Sequence, residues 1–212
     1  MVAPASSATD VDDLRMTVVA CWRHLPIRIP LAAPLGDDDL FDLCAANHGL
    51  HIERTSDGEL IILPPTGGET GRRNFDLIGQ FYAWVQRDGT GVGFDSSTGF
   101  LLPDGAERAP DIAWVQRSRW NALTADQRRK FPPVCPDFVL ELRSPVDTLA
   151  SQQAKLEEYL VCGARLGWLI DPEDRRVHVY RPDRAVEVME QPSELRGYPE
   201  LPGLILDLRS IW

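Results

Sequence analysis

Hydrophobic and polar positions alternate most clearly between 136 and 172. Asp137, Val139, Glu141 and Arg143 interleave with Phe138, Leu140 and Leu142. That is the period-2 pattern of a strand with one mostly polar and one apolar face. Ser144-Pro145 interrupts it, and Asp147 or Thr148 then caps a helix running to about Cys162, along which Leu149, Leu156, Tyr159 and Leu160 recur at helical spacing. Gly163 stands where that helix stops. Residues 166–170 form a short, almost wholly apolar run, as expected of a strand covered on both faces. Strand, helix, strand in this order predicts a crossover unit in a mixed sheet, right-handed if its strands are parallel.

The same patterning organises the remaining chain. An acidic start followed by Leu40, Phe41, Leu43 and Cys44 predicts a helix over 37–47. Residues 51–54 and 59–63, joined by Thr55-Ser56-Asp57-Gly58, predict a hairpin. A longer helix over 70–87 carries a broad stripe of Phe75, Leu77, Ile78, Phe81, Tyr82 and Val85. Strands follow over 93–102 and 108–115, on either side of Asp104-Gly105, and then a surface helix or loop over 118–131. After the crossover unit, 177–180 is expected to pair with 166–170, and the tail over 186–189 and 204–208 reads as small edge strands. Residues 1–35 read as an N-terminal arm, frayed at its start and extended with Trp22, Ile27 and Ile29 from about residue 17. Residues 36–212 read as a single domain of mixed α/β class.

Composition narrows the function classes. At 212 residues, 43% hydrophobic and 25% charged, the chain suits an ordinary globular domain. No stretch reaches the roughly 18 apolar residues of a membrane span. Asp10, Asp12 and Asp13 stand where a signal peptide would be basic, so the expectation is a cytoplasmic protein without membrane contact. Cys21, Cys44, Cys135 and Cys162 have no CxxC spacing and read as free thiols. A net charge of −10 opposes non-specific coating of nucleic acid but leaves room for a local basic cleft.

Candidate chemistry centres on Asp111, Glu141 and Lys155. Asp111 follows Pro110 at the start of a strand, and Glu141 lies within another. If the two strands are neighbours, their carboxylates converge on a hard cation such as Mg²⁺, with a lysine close enough to stabilise negative charge. Equally, Asp111 caps a strand and Glu141 forms a structural ion pair with Arg143 or Lys155. Asp137 also follows a proline, but four residues along a strand, roughly 13 Å at 3.3 Å per residue, separate it from Glu141. The Arg72-Arg73 and Arg128-Arg129-Lys130 runs read as a basic rim for phosphates or as solvated faces. His48 and His51 read as ordinary surface histidines. No P-loop, dinucleotide fingerprint or nucleophile elbow is present.

The order of elements, with GELIILPPTGGETGRRN at 58–74, APDIAW at 109–114, PDFVLELRSPVD at 136–147 and KLEEYLVCGARLGWLIDP at 155–172, resembles the PD-(D/E)XK nuclease superfamily. More closely it resembles the restriction endonuclease family abundant in cyanobacteria, over about residues 37–208. The resemblance implies a restriction-endonuclease-like core of helix, strands, helix and strand, extended by the N-terminal helix and hairpin. It implies hydrolysis of nucleic-acid phosphodiesters, DNA favoured, with Mg²⁺ or Mn²⁺ held by Asp111 and Glu141. In that family the signature lysine is displaced onto the following helix. Lys155 matches that place as the catalytic cation, and Arg143 stands where the ordinary lysine would be. An acidic residue from the first core helix often completes such sites, which implies Glu69, with Glu59 of the preceding strand as a further candidate. Many nucleases of this type are homodimers, here through the C-terminal strands and Trp212. The alternative is a non-catalytic member of the same fold serving as a binding or assembly module.

Overall fold

The computed structural model describes residues 26–212. The expectations for residues 1–25, including Trp22 and Cys21, lie outside the described residues. Ile27–Ile29 (β1) is the first element, and it adds to the edge of the hairpin formed by His51–Arg54 (β2) and Leu60–Leu63 (β3). Helix α1, Asp37–Ala46, packs on this sheet through Leu40, against Ile52, Leu60 and Ile62. Three aspartates in its first turn complement the positive end of its dipole.

A single strand over 93–102 is not what forms. Gly91–Asp95 (β4) and Phe100–Leu101 (β5) belong to different sheets, because Asp95 ends the strand by accepting from the Ser97 amide and hydroxyl. β5 pairs with Glu107–Arg108 (β6), which completes a five-stranded sheet in the order β1-β3-β2-β6-β5. Ile112–Gln116 (β7) returns beside β4. Arg117–Ala122 (α3) is the only helical part of the segment 118–131.

The crossover unit forms as its pattern requires. Phe138–Leu142 (β8) runs parallel to Leu166–Asp171 (β9), joined by Leu149–Val161 (α4). The Thr148 hydroxyl accepts from the Ser151 amide at 3.1 Å and caps α4, and Gly163 follows with φ of 111°, a conformation that favours glycine. Arg176–Tyr180 (β10) pairs antiparallel with β9, and Glu187–Glu190 (β11) closes that edge. The second sheet is therefore six-stranded, β11-β10-β9-β8-β7-β4. Glu194–Arg196 (β12) and Ile205–Asp207 (β13) form a separate pair instead of joining it. The core order of helix, strands, helix and strand expected from the sequence is what forms, in an α+β arrangement.

Both faces of the six-stranded sheet are covered, so β8 is buried along its whole length and does not present an open polar face. On one side, Gly68–Asp88 (α2) and the C-terminal segment bury Phe138, Leu140 and Leu142 against Leu77, Phe81 and Trp84. On the other, Leu156 and Tyr159 of α4 pack on Ala113, Val139 and Leu169. The stripe on α2 is narrower than its sequence predicts. Phe75 and Tyr82 are 78% and 62% exposed, whereas Leu77, Phe81 and Trp84, flanked by Ile78 and Val85, pack on the sheet. Glu141 shares the face of Val139, and so lies beneath α4 as a buried charge. Among the described residues, no helix is long and apolar enough to cross a membrane.

Candidate active site

The antiparallel register of β7 and β8 pairs Ile112 with Leu140. One residue further, Asp111 falls opposite Glu141, and residues directly opposite in such a pair share a face. A 30-residue separation in sequence thus becomes a cross-strand pair at the end of the sheet. Lys155 reaches the pair from α4, with Nζ 3.0 Å from Glu141 Oε1. The Tyr159 hydroxyl, one helical turn on, donates to the same oxygen at 3.3 Å. Asp111, Glu141 and Lys155 line a cleft of about 620 Å³ at the seam between the two sheets, with Tyr159 buried behind them.

The five-stranded sheet contributes residues with no counterpart in the sequence reading. Glu53 of β2 accepts from Lys155 Nζ at 2.8 Å through Oε1 and from Arg108 at 3.2 Å through Oε2. Arg108 of β6 also forms a two-pronged pair with Glu158 of α4, one contact being 3.0 Å. Glu53 and Arg108 therefore tie the five-stranded sheet to α4 and fix the position from which Lys155 approaches. The residue is hard to find in sequence because a hairpin carrying Glu53 and Arg54 looks like a solvated edge. A signal did exist. Its partner strand, Leu-Ile-Ile-Leu at 60–63, is apolar on both faces, so both faces of the hairpin must be covered.

His51 shares the face of Glu53 and lines the cleft, its Nε2 3.8 Å from Glu53 Oε1, so it is not an ordinary surface histidine. Asn74 reaches the site from α2, donating from Nδ2 to Asp111 Oδ1 at 2.8 Å. The Leu142 amide donates to Asp111 Oδ2, also at 2.8 Å.

The remaining sequence candidates lie elsewhere. Glu69 pairs with Arg72 on the exposed start of α2. Glu59 pairs with Arg28 at 2.7 Å at the turn of the hairpin. Arg143, just past the end of β8, is drawn away by Asp171 at 2.7 Å and by Glu173 at 3.3 Å. Arg72 and Arg73 donate to the carbonyls of Ser210 and Ile211 and hold the C-terminal segment. None of these five lines the cleft. Lys130 pairs with Asp38 of α1, and Arg128 donates to the carbonyls of Asn121 and Leu123. Asp137 is consumed structurally, accepting from the Gln116 amide and pairing with Arg119.

Burial and charge divide the roles of the carboxylates. Burial pushes Glu141 up to about 8; Lys155 opposes the rise and Asp111 adds to it. Asp111 is also raised by burial, against the hydrogen bonds from Leu142 and Asn74. Burial works against ionised Glu53 too, but Lys155, His51 and Arg108 overcome it and hold this carboxyl well below the usual range. Burial alone would lower Lys155, yet Glu141 and Glu53 together hold its ammonium above its ordinary value. Glu53 is thus the standing counter-charge of Lys155, and Glu141 is the carboxyl with capacity to spare for another cation. An ammonium so held cannot act as a general base near neutral pH. Its chemistry is electrostatic.

The donor set fits a hard divalent ion. Asp111 and Glu141 offer carboxylate oxygens, and Mg²⁺ typically takes one or two protein carboxylates while keeping waters. Among the described residues, no group of three or more His, Cys, Asp and Glu has the arrangement of an all-protein metal cage.

The sequence profile of the Uma2 family, whose description reads "Putative restriction endonuclease", matches residues 37–209. The chain is also similar in structure to a protein from Anabaena variabilis ATCC 29413, titled a "putative nuclease belonging to DUF820". The TM-score is 0.63 at 24% identity, over 76% of this chain and 88% of that one. At that identity the likeness supports the fold. No curated protein matches the chain.

Proposed function

We propose that this chain, which belongs to the Uma2 family, is a divalent-metal-dependent nuclease of PD-(D/E)XK type acting on nucleic-acid phosphodiesters. The observation that carries the reading is the cross-strand meeting of Asp111 and Glu141 with the Lys155 ammonium 3.0 Å from Glu141. Asp111 and Glu141 would hold the ion, which polarises a phosphate oxygen and lowers the pKa of its bound water. Lys155 stabilises the charge that develops on the phosphoryl oxygens as water attacks. Glu141 and Glu53 keep the ammonium protonated, and the Arg108 pairs to Glu53 and Glu158 hold Glu53 and α4 in place around it. The cleft walls supply Thr66, Ser96, Ser144 and Gln152, neutral groups that can hydrogen-bond to a backbone without adding charge.

Arg143 has no catalytic part in this reading, since Asp171 and Glu173 already hold it. Lys155 takes the role from the helix. The decisive experiment is cleavage of single- and double-stranded DNA and RNA in Mg²⁺ or Mn²⁺, comparing wild type with Asp111→Ala, Glu141→Gln and Lys155→Met. Each substitution is expected to reduce cleavage at least 100-fold, the scale on which a positioned charge acts. Cleavage that survives Asp111→Ala and Glu141→Gln together would overturn the proposal.

A further inference from the structure

We propose that Asn74 is a third protein donor to the cation site, giving its side-chain oxygen to the hydrated ion held by Asp111 and Glu141. The inference rests on the metal-dependent reading and extends it to α2, where the sequence pointed to Glu69 instead. Both oxygens of Asp111 accept hydrogen bonds, one from Asn74 Nδ2 and the other from the Leu142 amide. That fixes the amide's orientation, because turning it over would set two acceptors against each other.

The consequence falls on the other end of the amide. Asn74 Oδ1 is buried and has no hydrogen-bond partner among the described residues, although Asn74 lines the cleft. A buried acceptor without a partner is uncommon and calls for an explanation such as an ion or its water. The distances permit one. Nδ2 lies 2.8 Å from Asp111 Oδ1, and the two polar atoms of an amide are about 2.2 Å apart. Oδ1 is therefore no more than about 5 Å from that carboxylate oxygen. Opposite ligands of Mg²⁺ stand about 4.2 Å apart, twice its bond length of about 2.1 Å.

Charge favours an amide at this place. Glu53 and Glu141 are already buried beside Lys155 with the half-buried Asp111 close by, and a neutral oxygen adds a ligand without another negative charge. Position is secured by the helix. Arg73 bonds the Ile211 carbonyl, and Gln80 bonds both the amide and carbonyl of Asp207, so α2 is pinned to the C-terminal segment on either side of Asn74.

Two roles for Asn74 need separating: orienting Asp111 through Nδ2, and meeting the ion through Oδ1. Calorimetric titration of the full chain with Mn²⁺ separates them, using wild type, Asn74→Ala, Asn74→Asp and Asp111→Ala, each checked for folding by circular dichroism. Asn74→Ala is expected to weaken Mn²⁺ binding about 10-fold. Asn74→Asp, which loses the donor but keeps an oxygen, is expected to bind at least as tightly as wild type. It also carries the test if Asn74→Ala fails to fold. Equal weakening in both variants would overturn the proposal in favour of a purely orienting amide, and unchanged affinity in Asn74→Ala would overturn it outright. No Mn²⁺ binding by wild type, or unaltered binding in Asp111→Ala, would instead overturn the metal-dependent reading on which it stands.

Discussion

At the scale of single residues, Glu107 shows how the site's electrostatics extend beyond the groups that face the cleft. It is 1% exposed, and its Oε2 has no hydrogen-bond partner among the described residues. A Cβ at Gly99 would lie 1.8 Å from its other oxygen, so any larger residue there would displace the carboxyl. Burial, with Glu53 adding, pushes Glu107 up to about 8 from an ordinary value of 4.5. Between those pH values the folded chain keeps a proton that the unfolded chain releases, so stability falls as pH rises through that window and levels off above it. Glu107→Gln is expected to be more stable than wild type at pH 8 by on the order of 1–3 kcal/mol, the scale of one unpaired buried polar group, with the difference vanishing near pH 5. Urea unfolding at the two pH values measures it, and a gain larger at pH 5 than at pH 8 would contradict the assignment. The residues at this scale divide clearly in legibility. Asp111, Glu141 and Lys155 were visible because charges beside core strands need a partner. Glu53, Arg108 and Asn74 were not, because what they touch lies 102, 50 and 37 residues away.

At the scale of elements, α4 links two functions. Leu156 and Tyr159 anchor it in the core, and Lys155 and Glu158 present charge to the cleft. Its start depends on Thr148, which bonds the Ser151 amide. Thr148→Ala is expected to cost about 1 kcal/mol of stability, read as a lower urea midpoint with unchanged slope. The denaturant-free protein should retain Mn²⁺ affinity, because the Lys155 pairs to Glu53 and Glu141 lie a full turn or more along the helix. The crossover unit was legible because period-2 and helical patterns follow one another without overlap. The break between β4 and β5 was not, since Gly93 to Leu102 contains no proline. It is the Asp95 turn, bonding its own neighbours, that sends the chain to the other sheet.

At the scale of the whole molecule, charge governs how a phosphate backbone can enter. The ionisable cleft residues other than His51 are Arg28, Arg108 and Lys155 against Glu53, Asp111, Glu141, Asp147 and Glu158, formally 3 − 5 = −2. The chain as a whole carries −10. Under the proposed function, nucleic-acid binding is therefore expected to require a divalent cation and to disappear in EDTA. With three cleft cations, the logarithmic salt dependence should be no steeper than about −3. Fluorescence anisotropy of labelled DNA and RNA across a salt series tests both points. Tight binding in EDTA would show that the phosphates are held by a surface outside the cleft.

Local order was largely determined by the sequence alone. Alternation and helical periodicity act between near neighbours, so the hairpin, α1, α2 and the β8–α4–β9 unit could be placed without knowing what packs on them. The charges of Asp111, Glu141 and Lys155 marked a site for the same reason: their strands and helix were recognisable on their own. Tertiary structure decided which charges were free to act. It spent Arg143 on Asp171, Glu69 on Arg72 and Arg73 on the C-terminal segment, and it brought Glu53 and Arg108 to the cleft from the five-stranded sheet and Asn74 from another helix. Electrostatic partners are chosen by distance in space, and only the folded chain sets those distances.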